Sequence, residues 1–216
     1  MNGPDSVKTI DVLKSDQPPS SAQVPETSTE EETTTEFFPV SEGKLLTLYL
    51  LSFGFYGIFW FYKNWMLQKK FMDKNIYPMW RAIFSIFFTH ALFNRINRRA
   101  QQVEKEHTFN ANILATLFVA TIIASNILDR STLNSNLLEN VSNSSLIITS
   151  LVLFFISAYP LVKVQATVNR INNDMLGYLN HKYSMWNYVL IVLCVLSWLL
   201  LGFGLLAELM GLAEAV

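Results

Sequence analysis

Residues 45–65 read LLTLYLLSFGFYGIFWFYKNW. No charge interrupts the run before Lys63, and eight of the thirteen residues from Phe53 onward are Phe, Tyr or Trp. Rings this dense can stack bases, cage a ligand, or mark where a helix leaves a lipid bilayer. Composition separates the three. Of 216 residues, 51% are hydrophobic and 15% charged, against about 25% charged in a soluble domain. A net charge of -1 provides no global basic field for phosphates, which argues against a nucleic-acid reader. A cage needs rings converging from several segments. The run is therefore read as a span ending in an aromatic belt, with Phe59, Trp60, Phe61, Tyr62 and Trp65 at headgroup level beside a snorkelling Lys63. Ser52, Gly54 and Gly57 are small enough to let another helix approach closely.

A hydrocarbon core about 30 Å thick needs roughly 20 apolar residues in helix. Four uncharged runs qualify, predicting transmembrane helices at 45–62, 111–128, 145–162 and 186–207. A fifth, 82–94, holds only 13 uncharged residues between Arg81 and Arg95, a length suited to an interfacial or re-entrant helix. Two straight helices folded back to back about 75–78 would carry 94–106 through the bilayer. That stretch contains three arginines, one lysine and two glutamates, each costing about 2.5 kcal/mol or more at the bilayer centre. Either the chain breaks near Lys63 and 76–93 crosses as a fifth span, or 79–106 lies along the surface as an interfacial helix; the second is preferred.

Nine Lys and Arg residues fall in 63–110, one (Arg130) in 129–144, three in 163–182 and none beyond Lys182. The positive-inside rule makes the first and third of these segments cytoplasmic. Four spans then place the N-terminal tail outside, whereas five place it inside and turn the lysines of 63–75 the wrong way. Residues 1–44 hold nine acids against three lysines, with Pro18, Pro19 and Pro25, so 1–37 is expected to be a disordered acidic tail. It lacks the basic start and apolar core of a secretory signal. The helical domain is expected over 38–208, with a short tail at 209–216.

The tetrapeptide NRIN occurs at 94–97 and again at 169–172. Phe93, Ile96, Ala100 and Val103 correspond in spacing to Val168, Ile171, Met175 and Tyr178, one face of a helix in each case. Two readings follow. The bland one makes NRIN a helix end at the membrane surface. The sharper one makes a candidate polar interface in which His90, Asn94, Arg95 and Asn97 meet Lys163, Asn169, Arg170 and Asn172, suited to an anionic headgroup or carboxylate.

Catalytic signatures are missing. The spans carry no Asp or Glu apart from Glu208, and no phosphate-binding loop, dinucleotide fingerprint, zinc-helix or nucleophile-elbow motif is present. No cofactor or metal is expected. The single cysteine, Cys194, precludes a disulfide framework and reads as a packing residue. Pro160 is expected to kink its span, and Asn140 and Asn143 head N-x-S triplets, a weak signal for outer-side glycosylation.

Four blocks, FFPVSEGKLLTLYLLSFGFYGIFWFYKNW (37–65), YPMWRAIF (77–84), YPLVKVQATVNRIN (159–172) and YSMWNYVLIVLCVLSWLLLGFGLL (183–206), resemble a widespread group of bacterial multi-span membrane proteins of the domain-of-unknown-function kind. The resemblance implies a bacterial inner-membrane location and supplies no activity. The sequence thus predicts an all-α polytopic membrane protein of four transmembrane helices and one short interfacial or re-entrant helix. Its expected role is a non-enzymatic membrane component in contact with the lipid bilayer, anionic lipid headgroups or another membrane protein, with no nucleic acid. A small-solute transporter or channel using the NRIN interface is the alternative.

Overall fold

The computed structural model describes residues 35–103, 109–133 and 141–210. The expected acidic tail lies almost wholly outside them, as do 211–216. The described chain is all-helical, in the order α1 (Glu42–Leu51), α2 (Phe55–Gln68), α3 (Pro78–Ile83), α4 (Ser85–Val103), α5 (Ala111–Leu133), α6 (Asn143–Ile171) and α7 (Met185–Leu209). Among the described residues, three helices, α5, α6 and α7, are long and apolar enough to cross a membrane, which marks the chain as a helical membrane protein. α5 and α6 form the most extensive helix pair. α7 buries no residue fully and offers apolar side chains to its surroundings on nearly every side.

The run expected to be the first span is two helices. α1 starts at Ser41, whose Oγ accepts the Lys44 N–H at 3.3 Å, with Glu42 in the first turn to suit the helix dipole. It stops at Ser52. Phe53 (φ 51°) and Gly54 (φ 86°) then adopt left-handed backbone and reverse the chain. Ser52 serves both helices, its Oγ donating to Tyr49 O at 3.3 Å and accepting the Tyr56 N–H at 2.8 Å. A Cβ on Gly57 would lie 3.0 Å from the Tyr49 ring, so the small residues admit the partner helix of the same hairpin. At the open end Phe38, just before α1, meets the Phe59 ring at 5.8 Å in α2. α1 and α2 are therefore an antiparallel helical hairpin.

Contacts along α6 give its depth. Asn172 bonds Phe37, Gln165 bonds Phe38 and Trp60, Ser157 bonds Tyr49, and Phe154 lies beside Gly54. The tip is thus nine residues, about 14 Å, past Lys163 on α6. On α7 it meets Trp198, near the middle of that helix. The indole stacks on Phe53 at 4.5 Å and directs Nε1–H at the carbonyls of Leu50 (3.3 Å) and Leu51 (3.1 Å).

The expected 79–106 helix is likewise divided. α3 opens on Pro78 and ends at Phe84, after which α4 runs antiparallel to α5, with His90 on Thr116 (3.1 Å) and Asn94 on Asn112 (2.8 Å). α4 buries the stripe Thr89, Leu92, Phe93, Ile96 and Ala100 against the bundle. α3 packs on the far end of α2 and leaves Met79, Trp80, Ile83 and Phe84 exposed.

Because only glycine takes φ 86° without a Cβ penalty, and a Cβ there would also touch Phe154, Gly54→Ala is expected to destabilise the fold by about 1–2 kcal/mol. Gly43→Ala, where a Cβ meets nothing, should leave the thermal midpoint in detergent unchanged or slightly higher.

Candidate functional site

The segment from Glu36 to Ser41 is neither helix nor strand, yet Phe37 and Val40 are fully buried and Phe38 nearly so. Buried backbone outside helix and sheet needs partners, and side-chain amides supply them. Gln68 Nε2 donates to Glu36 O at 2.9 Å. Asn172 donates to Phe37 O at 2.8 Å and accepts the Phe37 N–H at 3.4 Å. Asn64 Oδ1 accepts the Phe38 N–H at 3.1 Å, while Gln165 Nε2 donates to Phe38 O at 3.2 Å. Asn180 Nδ2 donates to Pro39 O at 3.0 Å. The segment is a strap held by α2, α6 and the turn Tyr178–Asn180.

These amides are themselves tied together. Gln165 Oε1 accepts the Trp60 indole N–H at 2.6 Å, and its Nε2 also reaches Asn169 Oδ1 at 2.7 Å. Asn64 Nδ2 returns to Trp60 O at 2.9 Å. Gln68 Oε1 accepts from Arg95, whose other arm donates to Phe71 O at 2.9 Å. Arg99 pairs with Glu36 at 2.5 Å. Lys44, 5% exposed, places Nζ on Asn180 Oδ1 (2.7 Å) and Lys182 O (2.6 Å), and its burial lowers the ammonium pKa.

The sequence-predicted residues divide among several tasks. Asn172 and Asn169 belong to the strap network, Asn169 with its Nδ2 unpaired. His90 and Asn94 bond to α5, and Arg95 joins α4 to α2. Asn97 has a buried Oδ1 without a partner. Lys163 rests 5.7 Å from its neighbouring Tyr159 ring, and Arg170 folds back on Ala166 O. The two NRIN copies therefore have different partners at each polar position. Helical correspondence also ends at Ile171, since α6 stops there and Met175 and Tyr178 are exposed in the following turn. Asn64, Gln68, Gln165 and Asn180 were not anticipated. The available signal was amides at i, i+4 on apolar helices, Asn64 with Gln68 and Gln165 with Asn169.

One cavity lies beside this network and another at the far end of the bundle. One, about 530 Å³, opens beside α4 and is lined by Arg81, Arg95, Arg98, Asn94 and Trp65. The Arg81 guanidinium lies between the rings of Trp65 (4.5 Å) and Phe88 (5.0 Å). Burial and then the Arg95 charge lower its pKa. The second, about 520 Å³, sits beyond the hairpin tip at the other end of the bundle, with Phe53 as floor and Ser125, Asn126, Asp129, Ser150 and Glu208 among its walls. Among the described residues no group of three or more His, Cys, Asp or Glu side chains could hold a metal ion. Comparison of the chain with protein-family models, curated proteins and solved structures finds no match in any of the three.

Gln165→Leu would leave Trp60 Nε1 and Phe38 O without partners and is expected to cost about 2–5 kcal/mol. It should also expose 35–41 to protease. Asn172→Ala should cost about 1–3 kcal/mol, whereas Arg170→Ala should stay within about 0.5 kcal/mol, measured by thermal unfolding in detergent with limited proteolysis.

Proposed function

We propose that this chain is a multi-pass membrane component without catalytic activity, whose basic end engages anionic lipid headgroups. The observation that carries this reading is charge placement relative to the hairpin. Since α1 and α2 enter and leave at one end of the bundle, they add no crossing, and α5, α6 and α7 account for the spans. The strap, the segment 63–78, the far end of α4 and the turn 172–184 then share that end. Of the described Lys and Arg residues, only Arg130 belongs to the opposite end.

This arrangement removes the conflict between tail and lysines, because strap and lysines fall on one side without a fifth span. By the positive-inside rule that side is cytoplasmic, and a plasma membrane, the bacterial inner membrane under the resemblance above, is its location. The tip of the hairpin would reach about half of a 30 Å hydrocarbon core. Between α2 and α3, Lys69 and Lys70 border a cleft of about 670 Å³ with Tyr62, Met66, Tyr77 and Trp80. Cations over aromatic and apolar walls suit the headgroup region. Exposed Met79, Trp80, Ile83 and Phe84 support a position for α3 at the same interface.

Purified chain in neutral detergent should gain thermal stability on adding phosphatidylglycerol and little on adding phosphatidylcholine. Lys69→Gln with Lys70→Gln should remove about half or more of that gain, each cation contributing about 1 kcal/mol near an anionic surface. Equal response to both lipids would overturn the reading.

A small-solute transporter or channel is favoured by one observation, the cavity with Asp129 and Glu208 in its walls beyond the hairpin tip. Solute flux in reconstituted vesicles that Ser150→Leu abolishes would establish it.

A further inference from the structure

The cavity of about 530 Å³ beside α4 gathers three guanidinium groups, Arg81, Arg95 and Arg98, with no carboxylate of the described residues paired to any of them. Like charges brought together repel, and repulsion is strongest where water is displaced. The Arg81 guanidinium lies over the Trp65 and Phe88 rings and Arg95 is anchored to Gln68 and Phe71 O, so neither can swing away cheaply. Trp65 forms a wall, 1% exposed, and its Nε1–H is buried without an acceptor. Asn94, bonded to Asn112 through Nδ2, lines the same space.

We infer that this cavity binds the phosphate group of an anionic ligand, held by Arg81, Arg95 and Arg98. Planar guanidinium forks match phosphate oxygens in pairs, which a cluster of lysines does not. The volume exceeds what a bare phosphate fills, so the ligand carries a further polar portion, such as glycerol. The site deepens the lipid reading above, since it names one pocket and one chemical group within a basic end that otherwise acts as a diffuse surface. The same chemistry is offered by a phospholipid headgroup and by a free phosphorylated solute. The exposed apolar side chains of α3 favour the lipid.

The test titrates full-length chain in neutral detergent, at low ionic strength, with dihexanoyl phosphatidic acid, glycerol 3-phosphate and inorganic phosphate, reading affinity by calorimetry. Saturable binding is expected, weakened roughly tenfold or more by Arg81→Gln or Arg98→Gln. Lys69→Gln with Lys70→Gln should leave this affinity within about twofold while reducing the phosphatidylglycerol response. Arg81→Lys, which retains charge, should restore part of the loss if the thermal midpoint is native.

Binding of the phosphatidic acid but not of glycerol 3-phosphate assigns the site to lipid. Comparable binding of both assigns it to a free phosphorylated ligand. No saturable binding of any probe, or equal affinity in wild type and the arginine variants, would overturn the pocket. Loss in the lysine variant alone would overturn it too, and leave the diffuse surface standing.

Discussion

A helix that stops inside an apolar bundle leaves carbonyls that water cannot reach, and in this chain the indole of Trp198 takes two of them. Ser52 caps the start of the following helix from the same turn. These bonds let 52–54 reverse between α6 and α7, where an unpaired group would cost several kcal/mol. The left-handed backbone at Phe53 adds strain that stacking on Trp198 offsets. Without this turn the chain would continue as one long helix, and the strap would be carried to the opposite end from its amide partners.

The strap obeys the same constraint by other means. Inside helices the backbone satisfies itself, but Glu36 to Pro39 has no neighbouring strand, so Asn and Gln side chains stand in for one. Each amide can donate and accept, and Asn172 does both to a single residue, Phe37, as a β-partner would. Proline at 39 leaves one donor fewer to accommodate. Phe37 and Val40 add about 2–3 kcal/mol each through burial, so strap and bundle end stabilise one another. Gln165 is the junction, since it touches α2 through Trp60, the strap through Phe38 and its own helix through Asn169.

Hydropathy made α5, α6 and α7 legible, because a long uncharged run with every backbone group internally paired has one solution in hydrocarbon. It could not separate a crossing at 45–62 from a hairpin, as a turn of Ser, Phe and Gly is no more polar than helix. Ser52, Gly54 and Gly57 were visible as small residues, but small residues mark close approach without saying whose. The depth argument about 94–106 assumed one straight helix over 44–74, and the turn at 52–54 together with the break at Phe84 removes that premise. Of the candidate site, Asn172, Asn94 and Arg95 were visible as polar residues at helix ends. Their partners were not, because Asn64 and Gln68 resemble ordinary interfacial residues until Phe37 and Phe38 return across them.

The clustering of Arg81, Arg95 and Arg98 is a consequence of the same architecture. Arg81 lies one turn before the break at Phe84, and Arg95 must face α2 to reach Gln68, whose amide also holds Glu36 O. Folding α3 back against α2 therefore brings Arg81 to the rings of Trp65 and Phe88, beside Arg95, with no acid supplied by any packed helix. Aromatic faces compensate part of the desolvation of Arg81, about 0.5–2 kcal/mol per cation–π contact. They accept no hydrogen bonds in the ring plane, so the outward N–H groups of the fork remain available. A polar end whose amides are spent on its own strap thus sets Arg81, held over two rings, beside Arg95, whose guanidinium is itself committed to Gln68 and Phe71 O.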